Sequence, residues 1–295
     1  MTPSPVAIIG LGLMGEVYAK RLIDAGIPVV GYDIDAAKRA QLDAIGGRSA
    51  ASIAELAKPA RCIIIAVFST DQVADVIENH LLPALGAGSG KIVLCMSTCD
   101  PDEIAALAAR VIPRGIRYLD VPVSGTSDQV RRGDGVALIG GDPKIADEVA
   151  PVLDALFARR FRVGKIGDGG RAKLAVNLIL GLNRLALAEG LVFAERLGLD
   201  PAAFLDVARG SASYSQVMET KGRKMVRGDF APEGRARQTL KDARLMLDQA
   251  AHLGQPLKML EVHAEVLEAC IKAGEADLDN SVIINEVRRR GARRK

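Results

Sequence analysis

Apolar residues fall along the chain in two rhythms. In the first half, short unbroken runs at Val6 to Ile9, Val29 to Tyr32, Cys62 to Val67, Ile92 to Cys95, Tyr118 to Val121 and Val136 to Ile139 are bounded by Gly, Asp, Ser or Pro. Apolar runs of that length, without polar alternation, predict strands buried on both faces. Between most of them lie stretches of helical length, such as Glu16 to Ala25, Gln72 to Leu82 and Pro101 to Val111. The alternation predicts an α/β fold, with βαβ units on a mostly parallel, doubly wound sheet of the Rossmann type.

Past about Phe161 the rhythm lengthens. Arg171 to Leu197 contains no proline, carries Leu174, Leu178, Leu182, Leu185 and Val192 at helical spacing, and stops at Gly198. Pro201 to Ala208, Arg237 to Leu253 and Leu257 to Ala273 read as further helices, with no strand among them. The expected boundary lies near Lys165, between an α/β half (1–165) and an all-helical half (166–295).

Composition narrows the functional classes. With 295 residues, 49% hydrophobic and 25% charged, the chain buries ordinary cores and is not disordered. The net charge of +3 resides in the last eight residues, Arg288 to Lys295, which hold six of the 39 Lys and Arg. The remaining 33 face 36 acidic residues, so the body is slightly acidic and a general nucleic-acid surface is not expected. The tail itself reads as a solvated terminus. Aromatic content of 3%, without Trp, argues against base-stacking platforms.

Cys62, Cys95, Cys99 and Cys270 lack metal-ligand spacing, and neither the acids nor His80, His252 and His263 form a cluster, so no metal is expected. A reducing cytoplasm fits such cysteines. Pro5 to Gly15 is apolar but has no basic leader and is broken by glycines, so it reads as neither signal peptide nor membrane span. No other segment offers 18 uninterrupted apolar residues, and a soluble protein is expected.

The sharpest local signal is Gly10-Leu11-Gly12-Leu13-Met14-Gly15, directly after the first strand and directly before a helix. The first glycine permits the tight turn, the second lets a pyrophosphate approach the backbone, and the third lets helix and strand pack closely. Asp33 ends the second strand, 23 positions after Gly10, where a carboxylate accepts a ribose 2′-hydroxyl and repels a 2′-phosphate. That favours NAD over NADP, since Ile34 rather than Arg follows, although Lys38 and Arg39 stand nearby.

Three segments taken in order carry a resemblance. The Gly10 to Gly15 turn, Asp120-Val-Pro-Val-Ser-Gly125 and Gly167-Asp-Gly-Gly-Arg-Ala-Lys173-Leu-Ala-Val-Asn177 resemble the β-hydroxyacid dehydrogenases, the 3-hydroxyisobutyrate dehydrogenase-like members of the 6-phosphogluconate dehydrogenase superfamily. The resemblance covers nearly the whole chain. It implies an NAD(P)-dependent oxidoreductase moving hydride between a nicotinamide and a small anionic hydroxy acid or semialdehyde of the 3-hydroxyisobutyrate, tartronate semialdehyde or threonate type. It also implies a homodimer or homotetramer, with substrate in the cleft between the domains. No nucleic acid or membrane partner is expected.

Carried over, the resemblance makes Lys173 the catalytic acid or base. The choice suits the chemistry, because reducing a carbonyl by hydride leaves an alkoxide that needs a proton donor, and burial lowers a lysine from about 10.4 toward neutrality. Asn177 lies at i+4 on the same helix face and would orient the substrate. Ser124, Gly125 and Thr126 would hold the carboxylate. Val67, Phe68, Gln72 and Thr98 would flank the nicotinamide, with Lys241 near it.

The sequence departs from the family pattern at Thr126, where a second glycine is usual, and at Gln129-Val130, in place of Gly-Ala. The threonine is similar to the loop of sulfolactaldehyde reductases, but Gly125 replaces their arginine. Two other readings remain at this point. An imine reductase of the same fold typically lacks the lysine, and a non-catalytic nucleotide-binding interaction module would be expected to have lost it.

Overall fold

The computed structural model describes residues 4–86 and 88–292. Strands β1 (Val6–Ile9), β2 (Val29–Tyr32), β3 (Arg48–Ser49), β4 (Cys62–Ile65), β5 (Ile92–Cys95), β6 (Arg117–Asp120), β7 (Val123–Ser124), β8 (Val136–Gly140) and β9 (Arg159–Gly164) form one sheet. Its order is β3-β2-β1-β4-β5-β6-β8-β7, with β9 on β8. The strands from β3 to β6 in that order pair parallel, β8 is antiparallel to β6 and β7, and β9 is parallel to β8.

The apolar runs are unbroken because both faces are covered. Val6 and Ile8 of β1 enter one core with Val17, Tyr18 and Leu22, while Ala7 and Ile9 enter the other with Leu56, Ile77 and Leu81. A fully buried Ile or Leu contributes about 1.5–3 kcal/mol. The six expected strands are present, though the Cys62 run leaves the sheet at Ile65 and the Tyr118 run is centred one residue earlier. Strands β3 and β7 are two residues long and β9 reads Arg-Arg-Phe-Arg-Val-Gly, largely exposed. None has the apolar pattern by which the others are legible.

Helices α1 (Leu13–Asp24), α2 (Ala36–Ala44), α3 (Ile53–Ala57), α4 (Thr70–Asp75), α5 (Leu82–Leu85), α6 (Pro101–Val111), α7 (Ser127–Arg131), α8 (Pro143–Glu148) and α9 (Ala150–Leu156) belong to this half. The helix expected over Gln72 to Leu82 is α4 running through π turns at Val76–Leu81 into α5. The second half contains α10 (Asp168–Arg196), α11 (Pro201–Arg209), π turns at Met218–Gly222 leading into α12 (Arg223–Arg227), α13 (Ala236–His252), α14 (Lys258–Lys272) and α15 (Ile283–Ala292).

The chain forms two compact units, Met1–Lys173 and Leu174–Lys295, and α10 begins in the first and continues into the second. Helix α10 is long and apolar enough, by length and composition alone, to cross a membrane. Two of its charged side chains, Lys173 and Arg184, are nevertheless buried, and Leu185, Ala188 and Leu191 join the core of the helical unit.

The basic tail needs correction. Arg288 to Arg290 belong to α15 and are ion-paired, Arg288 with Glu195, Arg289 with Glu275 and Glu286, and Arg290 with Glu286. Val287 and the buried Ile283 and Ile284 anchor that helix, and this amphipathic spacing was hidden by the arginine run. Residues 293–295 lie outside the described residues.

Candidate active site

Because β1 to β6 are parallel, the segments leaving their carboxyl ends share one edge of the sheet, the side on which open α/β sheets bind ligands. There the three glycines of the first turn do different work. A Cβ on Gly10, whose φ is +92°, would sit 2.5 Å from the Ala66 carbonyl oxygen, and one on Gly15 would sit 1.9 Å from the Gly10 carbonyl oxygen. A Cβ on Gly12 would meet nothing within 4 Å. Protein packing therefore demands glycine at the two ends of the turn, whereas the middle one keeps space open.

Gly12 is also the N-cap of α1 and supplies no side-chain cap to that 12-residue helix. Its first-turn N–H groups and dipole face the open space, which suits a pyrophosphate. Asp33 lies beside it, only 8% exposed, accepting the Leu11 N–H at 2.8 Å and the Asp35 N–H at 2.9 Å. The bond to Leu11 ties the ends of β1 and β2 together and holds the carboxylate at the turn. Lys38 Nζ is 3.6 Å from Asp33, while Arg39 donates to the Asp33 and Ile34 carbonyl oxygens. These residues fit a nicotinamide dinucleotide.

After β4, the Phe68 N–H donates to Gln72 Oε1 at 2.8 Å, and Ser97 Oγ donates to the Val67 carbonyl oxygen at 2.8 Å. That second bond joins the loops after β4 and β5, and so holds Val67 and Thr98 on neighbouring loops. Phe68 is exposed and Thr98 half-buried.

Asp120, at the end of β6, is the pivotal residue that the sequence reading passed over. It is 3% exposed, and its Oδ2 accepts the Gly170 N–H at 2.9 Å, capping the first turn of α10 from a distant strand. A Cβ on Gly169 would lie 2.6 Å from that oxygen and 2.8 Å from the Leu138 carbonyl oxygen. The Gly-Gly pair thus lets α10 start in contact with the sheet. Burial pushes the Asp120 carboxyl up, opposed by its bond to Gly170. Asp168 accepts the Lys165 N–H and pairs with Arg171, which also reaches Asp102. Lys173, one turn on, is 7% exposed.

The loop after β7 explains the two departures from the family pattern as one motif. Thr126 caps α7. Its Oγ1 accepts the Gln129 N–H at 3.1 Å, and Gln129 Oε1 accepts the Thr126 N–H at 2.9 Å. This capping box satisfies two donors reciprocally. It removes the Thr126 N–H from anion binding but leaves the threonine O–H as a donor beside Ser124 and Gly125. The Thr-x-x-Gln spacing was the available signal.

In the helical unit, Asn177 Nδ2 donates to Asp242 Oδ2 at 3.0 Å, and Lys241 Nζ lies 3.1 Å from Asp242 Oδ1. Asp242, which the sequence reading did not single out, brings Asn177 and Lys241 together. The bond to Asp242 uses one N–H of the Asn177 amide and fixes which way the amide faces, leaving Oδ1 and the second N–H.

A glycine turn with an uncapped helix start, a buried carboxylate beside it and a buried lysine in the first turns of α10 fit a nicotinamide-dependent dehydrogenase. Residues 5–164 match the NAD-binding domain of 6-phosphogluconate dehydrogenase, and residues 167–287 match the NAD-binding domain of NADP-dependent 3-hydroxyisobutyrate dehydrogenase. The chain belongs to this 3-hydroxyisobutyrate dehydrogenase-like family and is an NAD(P)-dependent hydroxyacid dehydrogenase. It is 30% identical over 283 residues to 2-hydroxy-3-oxopropionate reductase of Escherichia coli strain K12, covering 95% of each chain. It is 29% identical over 280 residues to L-threonate dehydrogenase of Cupriavidus necator, covering 95% of this chain and 94% of the relative. The crystal structure of 3-hydroxyisobutyrate dehydrogenase from Salmonella typhimurium superposes with a TM-score of 0.87 at 28% identity, over 96% of this chain and 99% of that one.

Proposed function

We propose that the substrate is a small three- or four-carbon hydroxy acid or its semialdehyde, with Lys173 moving the proton. The observation that carries this reading is the burial of Lys173 one turn into a helix whose start is held on Asp120. A lysine with no role beyond solubility would be solvated. When bound, the nicotinamide supplies or accepts the hydride. In reduction the Lys173 ammonium donates a proton to the developing alkoxide, and in oxidation the amine takes the hydroxyl proton.

Ser124, Gly125 and the Thr126 hydroxyl hold the carboxylate, and Asn177 Oδ1 accepts from the hydroxyl or steadies the ammonium. Gly10 to Gly15, with Leu11, Leu13 and Met14 between the glycines, hold the pyrophosphate. Asp33 takes the ribose, and Val67, Phe68, Gln72, Thr98 and Lys241 serve the nicotinamide. Asp33, with Ile34 beside it, supports NAD as the preferred cofactor. Residues 1–165 serve the cofactor, and residues 166–295 serve substrate and dimerisation. The names of the reductase and threonate relatives support the substrate class.

The enzyme works in the cytoplasm as a homo-oligomer, away from membranes and nucleic acids. Ile179 and Phe193 on α10 and Leu197 just past its end, each more than 60% exposed, support a subunit contact. The imine-reductase alternative has nothing in its favour beyond the fold, and Lys173 with Ser124 and Gly125 counts against it.

The test follows nicotinamide absorbance with glycerate, threonate, 3-hydroxyisobutyrate and succinic semialdehyde, each with both cofactors. Lys173→Ala should keep cofactor affinity and lose turnover by about 10² or more, the contribution of a general acid. Near-normal turnover in that variant refutes the role, and tighter binding of NADP refutes the reading of Asp33.

A further inference from the structure

The helical unit buries an unbalanced positive charge on the inner face of α10. Arg184 is 9% exposed, and its Nε and Nη1 are sealed from solvent without a hydrogen-bond partner. Two acids lie within range of its charge, Asp279 and Asp242, and both are committed elsewhere. Asp279 accepts Lys221 Nζ at 2.8 Å, the N–H groups of Glu233 and Gly234 at 3.0 and 3.2 Å, and the N–H and hydroxyl of Ser281 at 3.0 and 2.8 Å. Asp242 accepts from Asn177 through Oδ2 and lies 3.1 Å from Lys241 Nζ through Oδ1, which has no hydrogen-bond partner, so its charge is matched by Lys241. Glu233, which also approaches Lys221, is matched by Lys224 at 3.3 Å. The cation left over is a guanidinium, which burial lowers only to about 10, so it stays charged at neutral pH.

His263 faces the same charge. It is 1% exposed, and neither ring nitrogen has a partner. Burial and the Arg184 charge hold it down at about 3, so at neutral pH it is an uncharged ring with one N–H donor. Gly181 makes room for it on α10, since a Cβ there would lie 2.8 Å from His263 Cε1.

Buried donors without acceptors around an uncompensated cation make a place for negative charge. We propose that Arg184, with His263, binds a small monoanion, a carboxylate or a halide, inside the helical unit. Water would satisfy the donors and leave the charge unbalanced, whereas a monoanion does both. The anion comes from solution, since the substrate carboxylate is assigned to Ser124, Gly125 and Thr126.

To test the site, the protein is exchanged into a buffer whose anion is a bulky sulfonate and titrated at constant ionic strength with sodium formate, sodium chloride and sodium glycerate. Tm and heats of binding are followed in wild type, Arg184→Met and His263→Leu. Wild type should show a saturable rise in Tm and a binding isotherm, lost in Arg184→Met and weakened about tenfold in His263→Leu, the equivalent of one hydrogen bond. An Arg184-dependent response to formate and chloride supports the free-anion site, and one to glycerate alone overturns it. If Arg184→Met does not fold, the calorimetry of wild type against His263→Leu decides. The proposal is overturned if wild type responds to none of the salts, or if no response is lost or weakened in the variants. No turnover is measured, so the result is independent of the role of Lys173.

Discussion

A single methyl group separates the roles of the glycines in the first turn. Gly12→Ala places its methyl in open space, so the protein should keep its Tm while cofactor Kd rises about tenfold or more, or at least about 1.4 kcal/mol. Gly15→Ala drives a methyl into the Gly10 carbonyl oxygen and should lower stability by at least the 1–3 kcal/mol typical of overpacking. Thermal melts and fluorescence titration with NAD check both, and an unchanged Kd in Gly12→Ala would remove the pyrophosphate from the turn. The spacing was legible because a close backbone approach has no substitute for glycine. Asp120 and Asp242 were harder to see, because each acts through a partner distant in sequence.

At the level of elements, the start of α10 depends on β6. Asp120→Ala removes the acceptor of the buried Gly170 N–H and should cost about 1–3 kcal/mol. It should also lower kcat by releasing the turn that carries Lys173. Asp120→Asn keeps an acceptor and should restore most of both; Tm and kcat measured together decide, and an unaltered kcat in Asp120→Ala would show that the clamp does not position the lysine. The Gly167 to Lys173 motif was readable as a helix start, but its cap comes from a side chain about fifty positions earlier. Thr126 and Gln129 show the reverse case, a local motif written in the sequence and read only as two departures from a family pattern. Strands β7 and β9 exist because β8 offers them hydrogen bonds, which their own residues do not advertise.

For the whole molecule, pH should expose the buried histidine. The folded state holds His263 at about 3 against 6.5 when unfolded, so below pH 6.5 the unfolded chain binds the extra proton. Stability should therefore fall as pH drops, by up to about 1.4 kcal/mol per unit. Asp279, held down by Lys221 against the effect of its own burial, adds a loss that begins as pH falls through the ordinary carboxylate range. Chemical denaturation between pH 7 and 5.5, above the range where paired glutamates such as Glu148 begin to contribute, isolates the histidine, and His263→Leu should flatten the curve there; an equal slope in both proteins would assign the loss elsewhere. The sequence by itself determined the doubly wound sheet, the helical second half, the dinucleotide turn and the family, because periodicity, glycine spacing and short motifs are local properties of a chain. Tertiary structure alone decided that Asp120 caps α10, that Asp242 turns the amide of Asn177, that the terminal arginines are paired in a helix and that Arg184 is buried with Nε and Nη1 lacking a hydrogen-bond partner. Hydrogen bonds and charge balance in a low-dielectric interior depend on which distant side chains meet, and no local pattern encodes that.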